Sequence, residues 1–272
     1  MKIYVKINNE EYEVDRSTPI SIAIPLKFNG DQPNSYDVDR ATSIAYRDGE
    51  FVGSVKEGGS CNFEQYTFIP HCNGTHTEGV GHLSMDLIAV DDVLKELLIP
   101  ASLITINCIS PSDTKETYIP ALDPTDKVIT KELIVEAIKR VGGAIFESLI
   151  IRTLPNKEDK MSRRYMEQLP PFFTKEAMEY IYKLNVQHLL VDIPSVDRTF
   201  DDGNMTNHCI FWNSDPENRD IDPKDASLKT ITEMVFIPDE VKDGAYLLNL
   251  QIPAFVADAA PSRPILYKYS KR

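Results

Sequence analysis

The chain has 272 residues, with 42 acidic against 29 basic side chains, a formal charge of −13 and a pI near 4.9. A surface so acidic argues against nucleic acid and anionic membranes as partners, and no apolar run approaches the roughly 18 residues of a membrane span. The length can bury a large core, and with neither an internal repeat nor a long linker a single domain over residues 1–272 is expected.

The opening Met1-Lys2-Ile3-Tyr4-Val5-Lys6-Ile7 alternates apolar and charged residues and predicts a strand, not a signal peptide, so a cytoplasmic location is the default expectation. Four cysteines, Cys61, Cys72, Cys108 and Cys209, lack the close-pair spacing of a disulfide framework or zinc ribbon. Leu87–Val90 and Leu103–Cys108 are short apolar runs. Between them a helix is expected over Asp91–Leu98, capped by Asp91 or Asp92, with Pro100 just past its end. Two helix-then-strand units follow. Thr130 can cap a helix with apolar positions Leu133, Ile134, Ala137, Ile138 and Val141, ended by Gly142-Gly143 and followed by a buried strand at Ala144–Ile151. Thr174 can cap a second helix carrying Ala177, Ile181 and Leu184, followed by a strand at Val186–Val191.

Consecutive units of this kind predict parallel strands, and the loops after their carboxyl ends usually build the site. The relevant loop is Asp192–Asp197, with Thr206-Asn207-His208-Cys209 just beyond it. His188 lies within the apolar strand and reads as structural. Residues 213–229 form a polar excursion, after which the chain returns through an apolar segment, Lys229–Pro238, that contains one carboxylate, Glu233. Buried, that carboxylate would need a cation. Tyr246–Ile252 and Pro264–Tyr267 then close the sheet.

The densest chemistry lies at His76-Thr77-Glu78-Gly79-Val80-Gly81-His82. Of five histidines in the chain, His71, His76 and His82 fall within twelve residues, with Glu78 among them. Imidazole nitrogen and carboxylate oxygen together suit zinc, manganese or iron. His76 and His82 are six apart, which excludes the helical His-Glu-x-x-His arrangement of zinc proteases. In an extended segment His76 and Glu78 share one side, and His82 returns to it after the Gly79-Val80-Gly81 bend. The bland reading is a polar loop of hydrogen-bonded histidines, but the clustering of so scarce a residue favours a metal site.

Gly74-Thr75-His76-x-Glu78-x-x-x-His82, Asp192-x-Pro194-Ser195-x-Asp197, His208, Glu233, and the closing Gly244-x-Tyr246-x-Leu248, Pro253 and Ser262-Arg263-Pro264 resemble the putative cyclase family, which includes bacterial kynurenine formamidase and isatin hydrolase. The resemblance runs from about residue 12 to 268. It implies an α/β fold, a swivelling β/β/α domain with a mixed β-sheet core and flanking helices. It also implies one or two divalent ions, zinc or manganese, and hydrolysis of a small-molecule amide, formamide, cyclic amide or lactone by a homodimer or homotetramer. Carried across, His76 is a ligand of the first metal, Glu78 a carboxylate shared by two, His208 and Glu233 ligands of the second, and His82 the proton donor and acceptor.

The chain departs from the family pattern, His-x-Gly-Thr-His-x-Asp-x-x-x-His, at three places. Glu78 replaces an aspartate. The tryptophan of the formamidase pocket has no counterpart around Ser21–Phe28. At the first ligand, Cys72 stands at the family's spacing from His76, whereas His71 keeps the residue type one position away. A bulge at Cys72-Asn73-Gly74 would bring His71 in, the choice that the family's nitrogen and oxygen ligands favour. The replacements also support a rival from another class, a non-catalytic binding protein on the same scaffold. A structural zinc closed by Cys72, His76 and His82 would leave His208 and Glu233 unexplained.

Overall fold

Two helix-then-strand alternations in the middle of the chain set its frame. The computed structural model describes residues 3–7, 10–143 and 145–271. Its main sheet is built from β1 (Ile3–Ile7), β2 (Glu10–Ser21), β3 (His76–Glu78), β4 (Leu98–Asn107), β5 (Ser148–Leu154), β6 (His188–Val191), β7 (Thr230–Glu233), β8 (Gly244–Asn249), β9 (Ala259–Pro261) and β10 (Ile265–Lys271). Across the sheet the order is β1-β2-β10-β8-β4-β5-β6-β7-β3-β9. The central four, β4 to β7, run parallel, and antiparallel strands extend the sheet on both sides. This is the mixed α/β sheet with flanking helices that the sequence predicts.

Side chains on a strand alternate between faces, and here both faces are buried. Leu149 and Ile151 of β5 pack on one side with Ile104, Leu189 and Val191, against helices α1 (Lys131–Arg140), α2 (Lys175–Lys183) and α3 (Thr206–Trp212). Ile150 points to the other side, into a core with Ile22, Leu103, Leu190, Val235 and Leu248. The first two helices start where the sequence places them. Thr130 Oγ1 accepts the Leu133 N–H and Thr174 Oγ1 accepts the Ala177 N–H, caps that contribute about 1 kcal/mol each.

Three expectations are corrected. The helix expected over Asp91–Leu98 is a single turn, Val90–Val93, because Leu94 is already extended. Leu98 instead opens the ten-residue β4, so Pro100 sits inside a strand. It is tolerated because β5 begins its pairing at Ala101, and no neighbour on that side needs a Pro100 N–H. The strand expected at Ala144–Ile151 starts at Ser148, and Ala144 lies outside the described residues. His188 is structural, as expected: it is buried and paired through Nδ1 with Thr230 Oγ1 at 2.8 Å.

Candidate metal centre

Strand β3 lies between β7 and β9, and this register brings distant residues together. His76 pairs opposite Glu233, at the carboxyl end of the parallel strand β7. Glu78, two residues on, faces the same side as His76, while Thr77 points away to Thr232 Oγ1 at 2.8 Å. His76, Glu78 and Glu233 are almost fully buried.

His208 arrives from the first turn of α3, and Asp197 places it. One carboxylate oxygen of Asp197 accepts the Asn207 N–H at 2.7 Å and the Tyr118 hydroxyl at 2.6 Å. The other accepts the His208 N–H at 3.2 Å and lies 2.5 Å from His208 Nδ1. Burial works against an ionised Asp197, but its bonds with His208 hold its pKa below the usual range, so it is an acceptor and His208 Nδ1 is the donor. His208 Nε2 then faces Glu78 Oε1 at 3.0 Å and Glu233 Oε1 at 3.9 Å.

His71 and His82 complete the rim. His71 stands on a helical turn, Pro70–Asn73, with Nδ1 2.9 Å from Glu78 Oε2 and Nε2 2.9 Å from Asp258 Oδ2. His82 ends a 3₁₀ turn over Val80–His82, its ring stacked on that of His71 at 4.3 Å. Its Nδ1 reaches the same Asp258 oxygen at 3.3 Å. The turn depends on Gly81, where a Cβ would lie 2.1 Å from the Ile88 carbonyl oxygen. The expected bulge is therefore a correction: a helical turn, not a bulged extended segment, brings His71 to Glu78. Gly74 needs no unusual backbone either, since its φ of 174° is extended.

Cys72, on the same turn, is buried, and burial together with the nearby Glu233 pushes its thiol up to about 11. A protonated thiol is a poor metal ligand. Among the described residues, the groups whose ligand atoms all lie within 4.8 Å of one another are His71-His76-Glu78, His71-His82-Asp258 and Glu78-His82-His208. Cys72 belongs to none of them.

Whether these residues suit a cation follows from His76. Its Nδ1 lies 3.0 Å from the Gly74 carbonyl oxygen, which can only accept, so Nδ1 carries the proton. The lone pair of a neutral His76 is then on Nε2, which is buried without a hydrogen-bond partner among the described residues. It stands 3.5 Å from Glu233 Oε2 and 4.0 Å from Glu78 Oε2. A lone pair facing two carboxylates is repulsive unless a proton or a metal cation lies between them. The donor set fits a divalent metal, and Asp197 supporting His208 is the outer arrangement usual for a metal-binding histidine.

Without a metal, protons do part of that work. Burial disfavours a charged His208, yet bonds to Asp197 and Glu78 hold its pKa well above the usual value. Burial also opposes a charged His71, and bonds to Asp258 and Glu78 push it up to about 10. Burial and repulsion from Glu78 raise Glu233.

The structure thus brings His71, His76, Glu78, His82, His208 and Glu233 together and leaves Cys72 aside. Two residues had no role in the sequence reading. Asp197 belonged to a noted motif, but its contact with His208 depends on α3 folding back. Asp258 lies in a loop, and its only signal is a lone carboxylate among Ala257, Ala259 and Ala260.

The sequence model of the family described as putative cyclase matches residues 14–198. The fold is similar to that of an isatin hydrolase bound to the product analogue thioisatinate, with a TM-score of 0.61 at 14% identity, covering 93% of this chain and 92% of that one. Isatin hydrolase A from Labrenzia aggregata aligns with a TM-score of 0.58 at 14% identity, over 92% and 93% of the two chains. A predicted metal-dependent hydrolase from Bacillus stearothermophilus aligns with a TM-score of 0.56 at 14% identity, over 92% and 98%. Among curated proteins no sequence matches the chain. At such identities the solved structures speak for the fold alone, but the sequence match spans well over half of the chain, the His76–His82 segment included, and the chain belongs to the putative cyclase family.

Proposed function

We propose that this chain is a divalent-metal-dependent hydrolase that opens a small amide, formamide, cyclic amide or lactone with water. One observation carries the reading: the buried Nε2 of His76, without a hydrogen-bond partner among the described residues, faces two carboxylates. His71, His76, Glu78, His208 and Glu233 would hold one or two ions, zinc or manganese. A divalent cation held there supplies a Lewis acid, lowering the pKa of water towards about 7 and polarising a carbonyl oxygen.

The protein's own part is proton transfer. His82 is a partly exposed histidine at the rim of the cluster, with Nδ1 held by Asp258, so its Nε2 is the position open for proton exchange. It takes a proton from the attacking water and delivers it to the leaving nitrogen or oxygen. Asp258 fixes the ring and stabilises the imidazolium while the proton is held.

Hydrolysis of formyl anilides and simple lactones, measured before and after chelation, tests the reading: turnover should vanish with the metal and return when zinc or manganese is restored. Turnover indifferent to chelation would refute it, and stoichiometric metal without any hydrolysis would favour the non-catalytic alternative.

Three substitutions assign roles. His82→Ala should leave metal content nearly unchanged and lower kcat by about two to four orders of magnitude. His82 also lies within ligand distance of Glu78 and His208, so loss of metal in that variant would make it a ligand instead. His71→Ala should lower metal content whereas Cys72→Ser should not, because only His71 reaches Glu78. The opposite pattern in elemental analysis would return the first-ligand place to Cys72.

A further inference from the structure

The closing Ser262-Arg263-Pro264 segment takes no part in the metal cluster, yet it borders a sizeable cavity. That cavity has a volume of about 710 Å³, within the usual range for small-molecule sites. It lies beyond the start of β3, against Gly74 and Thr75, and none of His71, His76, Glu78, His82, His208 or Glu233 lines it. Its wall is largely apolar, with Ile24, Leu26, Phe68, Ile69, Met161 and Phe236 as the bulky contributors.

The polar part of the lining is more telling. In a chain with 42 acidic residues, no carboxylate among the described residues lines this cavity, and Arg263 is the single ionisable residue among them that does. Arg263 is exposed, and its guanidinium has no side-chain partner among the described residues. A planar guanidinium matches a carboxylate, and the apolar wall matches an aromatic or branched hydrocarbon body.

We infer that this cavity is a second binding site, separate from the metal cluster, for a small monocarboxylate with an apolar body, held by Arg263 at its rim. The inference does not depend on the hydrolase reading, since the lining shares no side chain with the metal cluster.

The probe is 2-naphthoate, followed by its fluorescence on titration with the full-length protein, first stripped of metal by chelation and then loaded with zinc. Saturable one-to-one binding is expected in both states. Arg263→Gln, a change at an exposed side chain, should weaken it about tenfold or more, and the neutral isostere 2-naphthamide should bind correspondingly weakly to the wild type. Ala23→Trp, which places an indole at the cavity wall, should weaken binding, with circular dichroism confirming that the variant is folded. Binding unchanged in Arg263→Gln, equal binding of naphthoate and naphthamide, or no saturable binding would each overturn the proposal. So would binding that appears only with zinc and disappears in Glu78→Gln, because naphthoate would then be sitting at the metal.

Discussion

Glu78→Gln is expected to reduce bound metal to background and turnover by at least about three orders of magnitude, equivalent to about 4 kcal/mol of lost stabilisation. The substitution keeps the shape and removes the charge. Among the described residues Glu78 is the one carboxylate that touches both His71 and His208, at 2.9 and 3.0 Å, and it lies 4.0 Å from His76 as well. Burial alone would push its pKa up, but the surrounding histidines hold it well below the usual range, so it is an anion. A neutral amide cannot balance a divalent ion in so buried a place. Elemental analysis and turnover on the same sample test this, and a variant with full metal content would remove Glu78 from the ligand set.

The second large effect is on stability. Lys160→Met should destabilise the fold by about 3–5 kcal/mol and lower Tm on the order of 10 °C. Lys160 Nζ donates to Asp192 Oδ2 at 2.7 Å and to the Thr153 carbonyl at 2.7 Å, and both charged side chains are at most 4% exposed. Asp192 also accepts from the backbone and hydroxyl of Thr153, which ties the carboxyl ends of β5 and β6 together. Removing the lysine leaves a buried carboxylate without its cation. Lys160→Met with Asp192→Leu, which removes both charges, should recover much of the loss. If thermal unfolding of the single variant matches the wild type, the pair is not holding these strand ends. Asp192 opens the loop that carries Asp197, so the single variant should also loosen His208.

The features visible in the sequence are the locally determined ones. Thr130 and Thr174 announce their helices because a cap needs only the next three residues. The apolar runs around Ile150 and Leu190 announce buried strands for a similar reason. His76 and Glu78 share a face because any strand alternates. Glu233 was legible as an anomaly, a carboxylate in an apolar segment, and its pairing opposite His76 explains it.

What stayed hidden depends on tertiary contacts. The Val90–Val93 turn stops because Leu98 is recruited into β4, which its own helical pattern does not reveal. His71 was ambiguous with Cys72 because one residue decides the side in a strand, whereas in the observed helical turn the next residue points elsewhere by about 100°. Asp258 reaches His71 and His82 only because β9 pairs with β3 more than 180 residues away in sequence.

The most direct test of a metal centre is a calorimetric titration of chelator-stripped protein with zinc at pH 7, repeated in two buffers of different ionisation enthalpy. His71 and His208 hold protons in the metal-free state, so an incoming cation must displace them, and binding should strengthen as pH rises. Saturable binding of one or two ions, with protons released to the buffer and lost in His76→Ala, is the expected result. No saturable binding, or binding that survives His76→Ala unchanged, would contradict a metal held between His76, Glu78 and Glu233.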